Sequence, residues 1–362
     1  MNRSGSYSEA HFDAKAFRYQ RALRAAPLAR SLEVVPFLLL ANASVSLDPL
    51  GMTVADLLCG SGFLSANLKG CFKKIVGVDI SQRMLSTYPV GAGLECRKAS
   101  LDEQSGMLRD VLRPDVIVTL AGLHHIYMVN GGTVNRAEST RLQQEVILSW
   151  AQTIPSHGAL ILADVTSPEC EVRQLDKLLP LRDTFTAISH RFNQIGFNVA
   201  GVVRRRRFSS WNYPESISSY ADYILGESSC ALSAARPGAW FRDVISAQGL
   251  YGHVDHFLLP EALLSSLREL GYKAYHFELP TPWLFSSLDD LIFFFYEKFA
   301  FGPPVDSFED IASEIRDAIC SQAEEYLGIA KLPGGAVSVG WRLGYYLILP
   351  RSQGGRTPHG NT

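Results

Sequence analysis

The 362-residue sequence has no excess of either charge: 34 lysines and arginines stand against 36 aspartates and glutamates, a formal net charge of -2. That balance provides no general attraction to nucleic acid or to an anionic membrane surface. The basic run Arg204 to Arg207 reads as an exposed strand or loop, with contact to an anionic substrate as the alternative. Cysteine is sparse, with six residues at 59, 71, 96, 170, 230 and 320, and none sits at a spacing typical of metal or redox pairs. Reduced thiols and a cytoplasmic location are the simplest expectation. Long apolar runs are missing, since Leu38-Leu39-Leu40-Ala41 is far too short to span a bilayer. The opening residues Met1 to Gly5 lead into polar sequence and do not have the form of a signal peptide. No internal repeat is visible. The expected partner is therefore a small molecule, with no nucleic acid and no membrane, and the chain is expected to act as a monomer or homodimer.

Hydrophobic residues make up 47% of the chain and charged residues 19%, which suits a packed globular protein. Residues 10–42 have apolar positions at helical spacing, with breaks at Pro27 and Pro36. From residue 52 onward, strand and helix patterns alternate, which predicts an α/β fold with a parallel sheet covered on both faces. Strands are expected at 53–58, 74–79, 93–97, 115–120, 159–164, 273–279 and 339–349. Helices are expected over 137–153 and 260–271, the second ending at Gly271. The simple alternation stops over 166–258, where Trp211, Tyr213, Tyr220, Trp240 and other aromatics cluster. This stretch reads as an inserted, mainly helical substrate domain. A second helical insertion is expected over 286–330, and 351–362 reads as a disordered tail. The implied division is 1–49 as an N-terminal helical segment, and 50–165 with 259–350 as the core.

The densest chemistry lies in Val54-Ala55-Asp56-Leu57-Leu58-Cys59-Gly60-Ser61-Gly62, followed by Val76-Gly77-Val78-Asp79-Ile80-Ser81. A buried strand, a glycine loop, a helix start and a second strand closed by a carboxylate can hold a nucleoside. The dinucleotide fingerprint requires a third glycine or alanine where Ser65 stands, and here an acid precedes Gly60 by four residues. Acid-x-x-x-Gly-x-Gly with an acid at the end of the next strand resembles class I S-adenosylmethionine-dependent methyltransferases. Asp79-Ile80-Ser81-Gln82-Arg83-Met84-Leu85 is similar to that family's following motif, and Leu120-Ala121-Gly122-Leu123-His124-His125 to its fourth-strand end. The family usually has glycine where Leu58 stands.

The resemblance implies a seven-stranded Rossmann-like sheet, an N-terminal helical lid over the ligand, and S-adenosylmethionine as cofactor. It places Asp56, Cys59, Gly60 and Gly62 under the methionine part, and Asp79, with Ile80 beside it, on the ribose hydroxyls. Met84 packs near the adenine, and Ser100, Leu101 or Asp102 meets its amino group. Ala121 and Leu123 face the sulfonium.

Methyl transfer needs proximity and orientation, plus a base when the acceptor is an alcohol or carbon acid. His124 and His125 are candidates for that base. So is His253, with Asp255 on the same strand face and His256 one residue further on. Tyr7, His11, Tyr19, Trp211, Tyr213, Trp240 and His256 are candidate substrate contacts. Arg182, Arg191, Arg236 and Arg242 are candidates for binding a substrate carboxylate. No metal centre is expected. The leading expectation is a small-molecule methyltransferase. Two alternatives remain, a non-methylating S-adenosylmethionine enzyme (cyclisation or aminocarboxypropyl transfer) and a non-catalytic binding module. The absence of Asn-Pro-Pro-Tyr after the fourth strand lowers nucleobase and glutamine acceptors.

Overall fold

The computed structural model describes residues 9–27, 29–44, 51–130, 133–170, 235–248 and 256–350. The substrate candidates Tyr7, Trp211 and Tyr213, the base candidate His253 with Asp255, and Arg182, Arg191 and Arg204 to Arg207 lie outside the described residues.

The first half of the sheet is built from β1 (Thr53–Leu57), β2 (Lys74–Asp79), β3 (Leu94–Lys98) and β4 (Val116–Leu120). A two-residue hairpin follows, β5 (Val129–Asn130) and β6 (Thr133–Val134), and then β7 (Ala159–Asp164). The second half brings β8 (Lys273–Pro280), β9 (Trp283–Phe285), β10 (Ile329–Lys331), β11 (Val337–Val339) and β12 (Arg342–Leu349). The main sheet has seven strands in the order β3-β2-β1-β4-β7-β12-β8. The order of strand addition reverses between β1 and β4, which pair in parallel, and this is the switch point where open α/β sheets leave a crevice beyond the strand ends.

Side chains alternate between two buried faces. Val54, Val116, Val118 and Ile161 enter one apolar cluster, while Ala55, Ile117, Leu160 and Leu162 enter the other. Continuous β-branched runs such as Val116-Ile117-Val118 follow from this two-sided burial. Helices α1 (Glu9–Ala25), α2 (Val35–Ser44), α3 (Phe63–Leu68), α4 (Gln82–Leu85), α5 (Leu101–Met107) and α6 (Arg136–Ala151) belong to the first part. The later helices are α7 (Pro237–Trp240), α8 (Pro260–Glu269), α9 (Leu288–Phe299) and α10 (Ser313–Leu327).

Two expectations about the last strands are corrected. The sheet is not wholly parallel, because β12 pairs antiparallel with both β7 and β8. The chain leaves β8 at the crevice end, forms β9 there, and re-enters the sheet from that same end. No crossover returns it to the opposite edge, as a parallel strand would require. The stretch 339–349 is also two strands, because Gly340 and Trp341 separate β11 from β12. The insertion over 286–330 is helical in α9 and α10, but β10-β11-β9 form a second, three-stranded sheet around it.

Helix α1 lies between the two halves. Asp13 accepts from Ser81 Oγ at 2.5 Å and from the Arg83 amide at 3.1 Å. On its other side Arg18, 3% exposed, donates to Glu297 Oε2 at 3.2 Å, to the Tyr296 carbonyl at 2.8 Å and to the Gly302 carbonyl. Glu297 is fully buried, so removing the guanidinium alone would leave an uncompensated charge. Arg18→Met is expected to cost about 3–5 kcal/mol in urea unfolding. The double variant Arg18→Met/Glu297→Met is expected to cost less than Arg18→Met alone. Equal losses in the two variants would show that the charge pair does not fasten α1.

Candidate active site

A cavity of about 380 Å³ opens at the ends of β1, β2 and β4 and runs beneath α1 and α9. That lies within the roughly 300–1,000 Å³ usual for small-ligand sites. Its wall gathers residues from both ends of the chain.

The loop after β1 is held by backbone. The Cys59 amide donates to the Val78 carbonyl at 3.2 Å, and the Gly62 amide to the Cys59 carbonyl at 2.9 Å. Gly60 has φ +53° and Gly62 φ +80°, the left-handed region that glycine enters without steric cost. Gly62 does not line the cavity: a Cβ there would lie 2.5 Å from the Tyr88 ring, so its role is close packing behind the loop. Leu58 also lies in the left-handed region, at φ +56°. That conformation costs a leucine about 1–2 kcal/mol, which explains why glycine is expected at this position. The structure accommodates the substitution through Gly122, where a Cβ would stand 2.8 Å from the Leu58 Cβ. Ala121, at φ +55°, and Gly122 both line the cavity.

Two acids flank this loop. Asp79 Oδ2 accepts from the Gly60 amide at 2.8 Å and Oδ1 from the Ser81 amide at 2.9 Å. A carboxylate has about four acceptor positions, so Asp79 keeps capacity on the side facing the cavity. Burial raises its pKa, while the backbone amides of Ser81 and Gly60 oppose the shift. Asp56, 1% exposed, accepts from Ser65 Oγ at 2.6 Å through Oδ2. Its Oδ1 is buried and has no hydrogen-bond partner among the described residues. Burial pushes the Asp56 pKa up to about 7, against the opposing bond from Ser65.

Of the other expected cofactor contacts, Cys59, Ile80, Met84, Ser100, Leu101 and Asp102 all line the cavity. Ser100 begins α5, where its amide and hydroxyl both donate to Glu103 Oε2 at 2.8 Å. Leu123 does not line it: its side chain is buried in the core, and its amide donates to Asp164 Oδ2 at 2.7 Å.

The same Asp164 organises the histidine pair. His124 Nδ1 is 2.6 Å from Asp164 Oδ1, which also accepts from the Val165 amide at 2.7 Å, and Oδ2 takes the His124 amide at 3.0 Å as well. An ionised carboxylate so placed assigns the proton to Nδ1 and leaves Nε2 as the basic nitrogen. Both His124 and His125 line the cavity, their rings 4.0 Å apart. The ring of Phe12, from α1, meets His125 edge-on at 5.3 Å. Asp164 was not singled out from the sequence, although it closes the fifth strand as Asp79 closes the second.

The substrate candidates divide. Tyr19 lines the cavity and its hydroxyl accepts from Arg30 Nη1. His11 does not line it, but its neighbour Phe12 does. Trp240 is fully buried among Phe295, Phe299, Phe301 and Tyr326, outside the cavity wall, while Phe241 takes a place there. His256 is also outside: its Nε2 is 3.0 Å from Thr140 Oγ1, and its carbonyl accepts from Gln143, which also holds the Leu123 carbonyl. Burial lowers the His256 pKa to about 4, so this imidazole is neutral and structural. Arg236 sits over the Tyr326 ring and Arg242 on Asp243, both away from the cavity wall. Sequence reasoning missed Lys15, Arg30, Glu33, Trp283, Lys298, Phe299 and Trp341, all of which line it.

The sheet order, the antiparallel β12 and the crevice at the switch point are the class I methyltransferase fold. No family model matches the chain, and no curated protein does. Among solved structures, it is similar to an S-adenosylmethionine-dependent methyltransferase from Anabaena variabilis, at 13% identity over 96% of this chain and 98% of that one, TM-score 0.43. A complex titled DhpI-SAM-HEP matches at 12% identity over 94% and 95%, TM-score 0.39. The plantazolicin methyltransferase BpumL, in complex with SAH, matches at 9% identity over 95% of both chains, TM-score 0.41.

The contact between Leu58 and Gly122 is directly testable. Gly122→Ala is expected to destabilise the fold by about 1–3 kcal/mol through overpacking. In a Leu58→Gly background most of that cost should disappear, as read by urea unfolding. An equal cost in both backgrounds would show that Leu58 is not what requires glycine at 122.

Proposed function

We propose that this chain is an S-adenosylmethionine-dependent methyltransferase acting on a small-molecule acceptor. The observation that carries this reading is the pair of buried acids around a left-handed backbone loop, one of them with an uncommitted oxygen. Asp79 suits vicinal ribose hydroxyls, which can donate to both carboxylate oxygens in a charge-assisted bidentate contact. Asp56 Oδ1 suits the ammonium of the methionine portion, which would satisfy an otherwise unpaired buried acceptor. Gly60 and Ala121 let backbone approach the ligand between them. Met84, Leu101 and Ile80 offer an apolar slot for the adenine. We take 50–165 with 259–350 as the unit that holds the cofactor.

When bound, the cofactor supplies an electrophilic methyl group and a leaving group that needs no protonation. The protein's part is then placement, exclusion of water and removal of the acceptor's proton. His124 is the base that fits, because Asp164 fixes its ring and its proton while the side chain faces the cavity. This oriented pair favours a catalytic role over a passive binding module. A cavity with aromatic walls favours a small acceptor over a macromolecule.

The decisive assay is chromatography of products after incubating the protein with S-adenosylmethionine and metabolite pools. Accumulation of S-adenosylhomocysteine supports methyl transfer, whereas methylthioadenosine would point to attack at the other carbon.

Binding of S-adenosylhomocysteine, measured by calorimetry, tests the site itself. Asp79→Ala is expected to weaken it by about 1.5–3 kcal/mol, the range for a hydrogen bond to a charged group. The Asp56 pKa near 7 adds a pH signature. Below that pH the unliganded carboxyl is protonated, and pairing with an ammonium requires it to ionise, so binding releases a proton. Affinity should therefore rise with pH, by at most about tenfold per unit, and level off above 7. Asp56→Asn should flatten that rise. A slope unchanged in Asp56→Asn would remove Asp56 from the ammonium position.

A further inference from the structure

The wall of the cavity beneath α1 and α9 contains a cation that has no ion-pair partner among the described residues. Lys298, in the last turn of α9, lines the cavity. Its ammonium stands 5.1 Å from the Tyr19 ring centroid, 5.2 Å from Phe299 and 5.4 Å from Trp283. Among the described residues it has no hydrogen-bond or ion-pair partner. Glu33 is the acid that faces it, and both of its oxygens already accept hydrogen bonds. Oε2 accepts from Arg30 at 2.8 Å and Oε1 from Trp283 Nε1 at 2.7 Å. Lys15 on α1 and Arg30 add positive charge to the same wall. Among the described residues, Lys298, Arg30 and Lys15 thus share this wall with one acid, Glu33, which already accepts from Arg30. Burial, reinforced by Arg30 and Lys15, holds the Lys298 pKa well below the usual lysine range, and Glu33 only partly offsets this. An arriving anion would reverse that penalty.

We propose that the acceptor carries a carboxylate, seated on the Lys298 ammonium with its apolar body against the surrounding rings. Trp283 and Trp341, stacked with centroids 3.9 Å apart, supply a flat apolar face beside it. The acids Asp56 and Asp79 line the same cavity, suited to the cofactor's cationic and hydroxyl groups, and Lys298 supplies the positive counterpart for an acidic acceptor. A single ammonium without an ion-pair partner among the described residues suits a monoanion. This assignment rests on the methyltransferase reading of the same cavity.

Calorimetry with 1-naphthoate and 1-naphthamide, on full-length protein saturated with S-adenosylhomocysteine, tests it. Wild-type protein is expected to prefer the acid by about tenfold, the scale of one charge-assisted bond. Lys298→Met, close in volume, should abolish that preference while leaving S-adenosylhomocysteine affinity within about twofold. Lys298→Arg should retain part of the preference. Three results would overturn the proposal. One is equal affinity, or none, of wild-type protein for the two probes. A second is a preference retained in Lys298→Met. The third is a loss of S-adenosylhomocysteine affinity but not of methylthioadenosine affinity in Lys298→Met, which would make Lys298 a partner of the cofactor's own carboxylate. Failure of the underlying reading would be distinct from these: wild-type protein would bind no S-adenosylhomocysteine at all, and the acceptor assignment would fall with it.

Discussion

The bond from the Gly60 amide to the Asp79 carboxylate is the constraint on which the site depends. It joins the loop leaving β1 to the tip of β2, so that the backbone and the acid form one surface. The second oxygen of Asp79 is fixed by the Ser81 amide, and Ser81 in turn donates to Asp13 on α1. A chain of short polar contacts therefore runs from the glycine loop to the helix above it. Because Asp79 and Ser81 are buried, the bond between them is stronger than it would be in water, and leaving it unmade would be costly.

The remainder of the structure brings distant segments to that surface. Arg18 fastens α1 to α9, more than two hundred residues along the chain, and this places Tyr19 beside Lys298 in one wall. Glu33 ties the segment before α2 to Trp283 and, through its carbonyl, to the Tyr345 hydroxyl at 2.8 Å in β12. Asp164 holds the turn after β4 by accepting two amides and the His124 ring. Each tie is a buried charge with specific partners, an arrangement that fixes geometry more than it adds net stability.

The core of this site was legible in the sequence because it is local. Asp56, Gly60 and Asp79 lie within twenty-four residues, on a strand-loop-helix-strand pattern whose periodicity is strong, and the structure brings all three to one crevice. Gly62 and Leu123, also expected to touch the cofactor, lie outside the cavity wall. Each instead supports its neighbour, Gly62 by admitting the Tyr88 ring and Leu123 through its amide. The wall beneath α1 and α9 was not legible. Lys298 sits inside a run of phenylalanines that reads as ordinary core helix, and only the packing of α9 on α1 shows its ammonium facing a cavity. The antiparallel β12 was hidden for a related reason: strand periodicity does not encode direction, which here follows from where the chain re-enters the sheet.

A crystal structure of the full-length protein with S-adenosylhomocysteine is the most direct measurement. The account predicts the ribose hydroxyls on Asp79, the amino group on Asp56 Oδ1 and the adenine between Met84 and Leu101. A nucleoside bound elsewhere, or one lying in this crevice with its sugar away from Asp79, would contradict it.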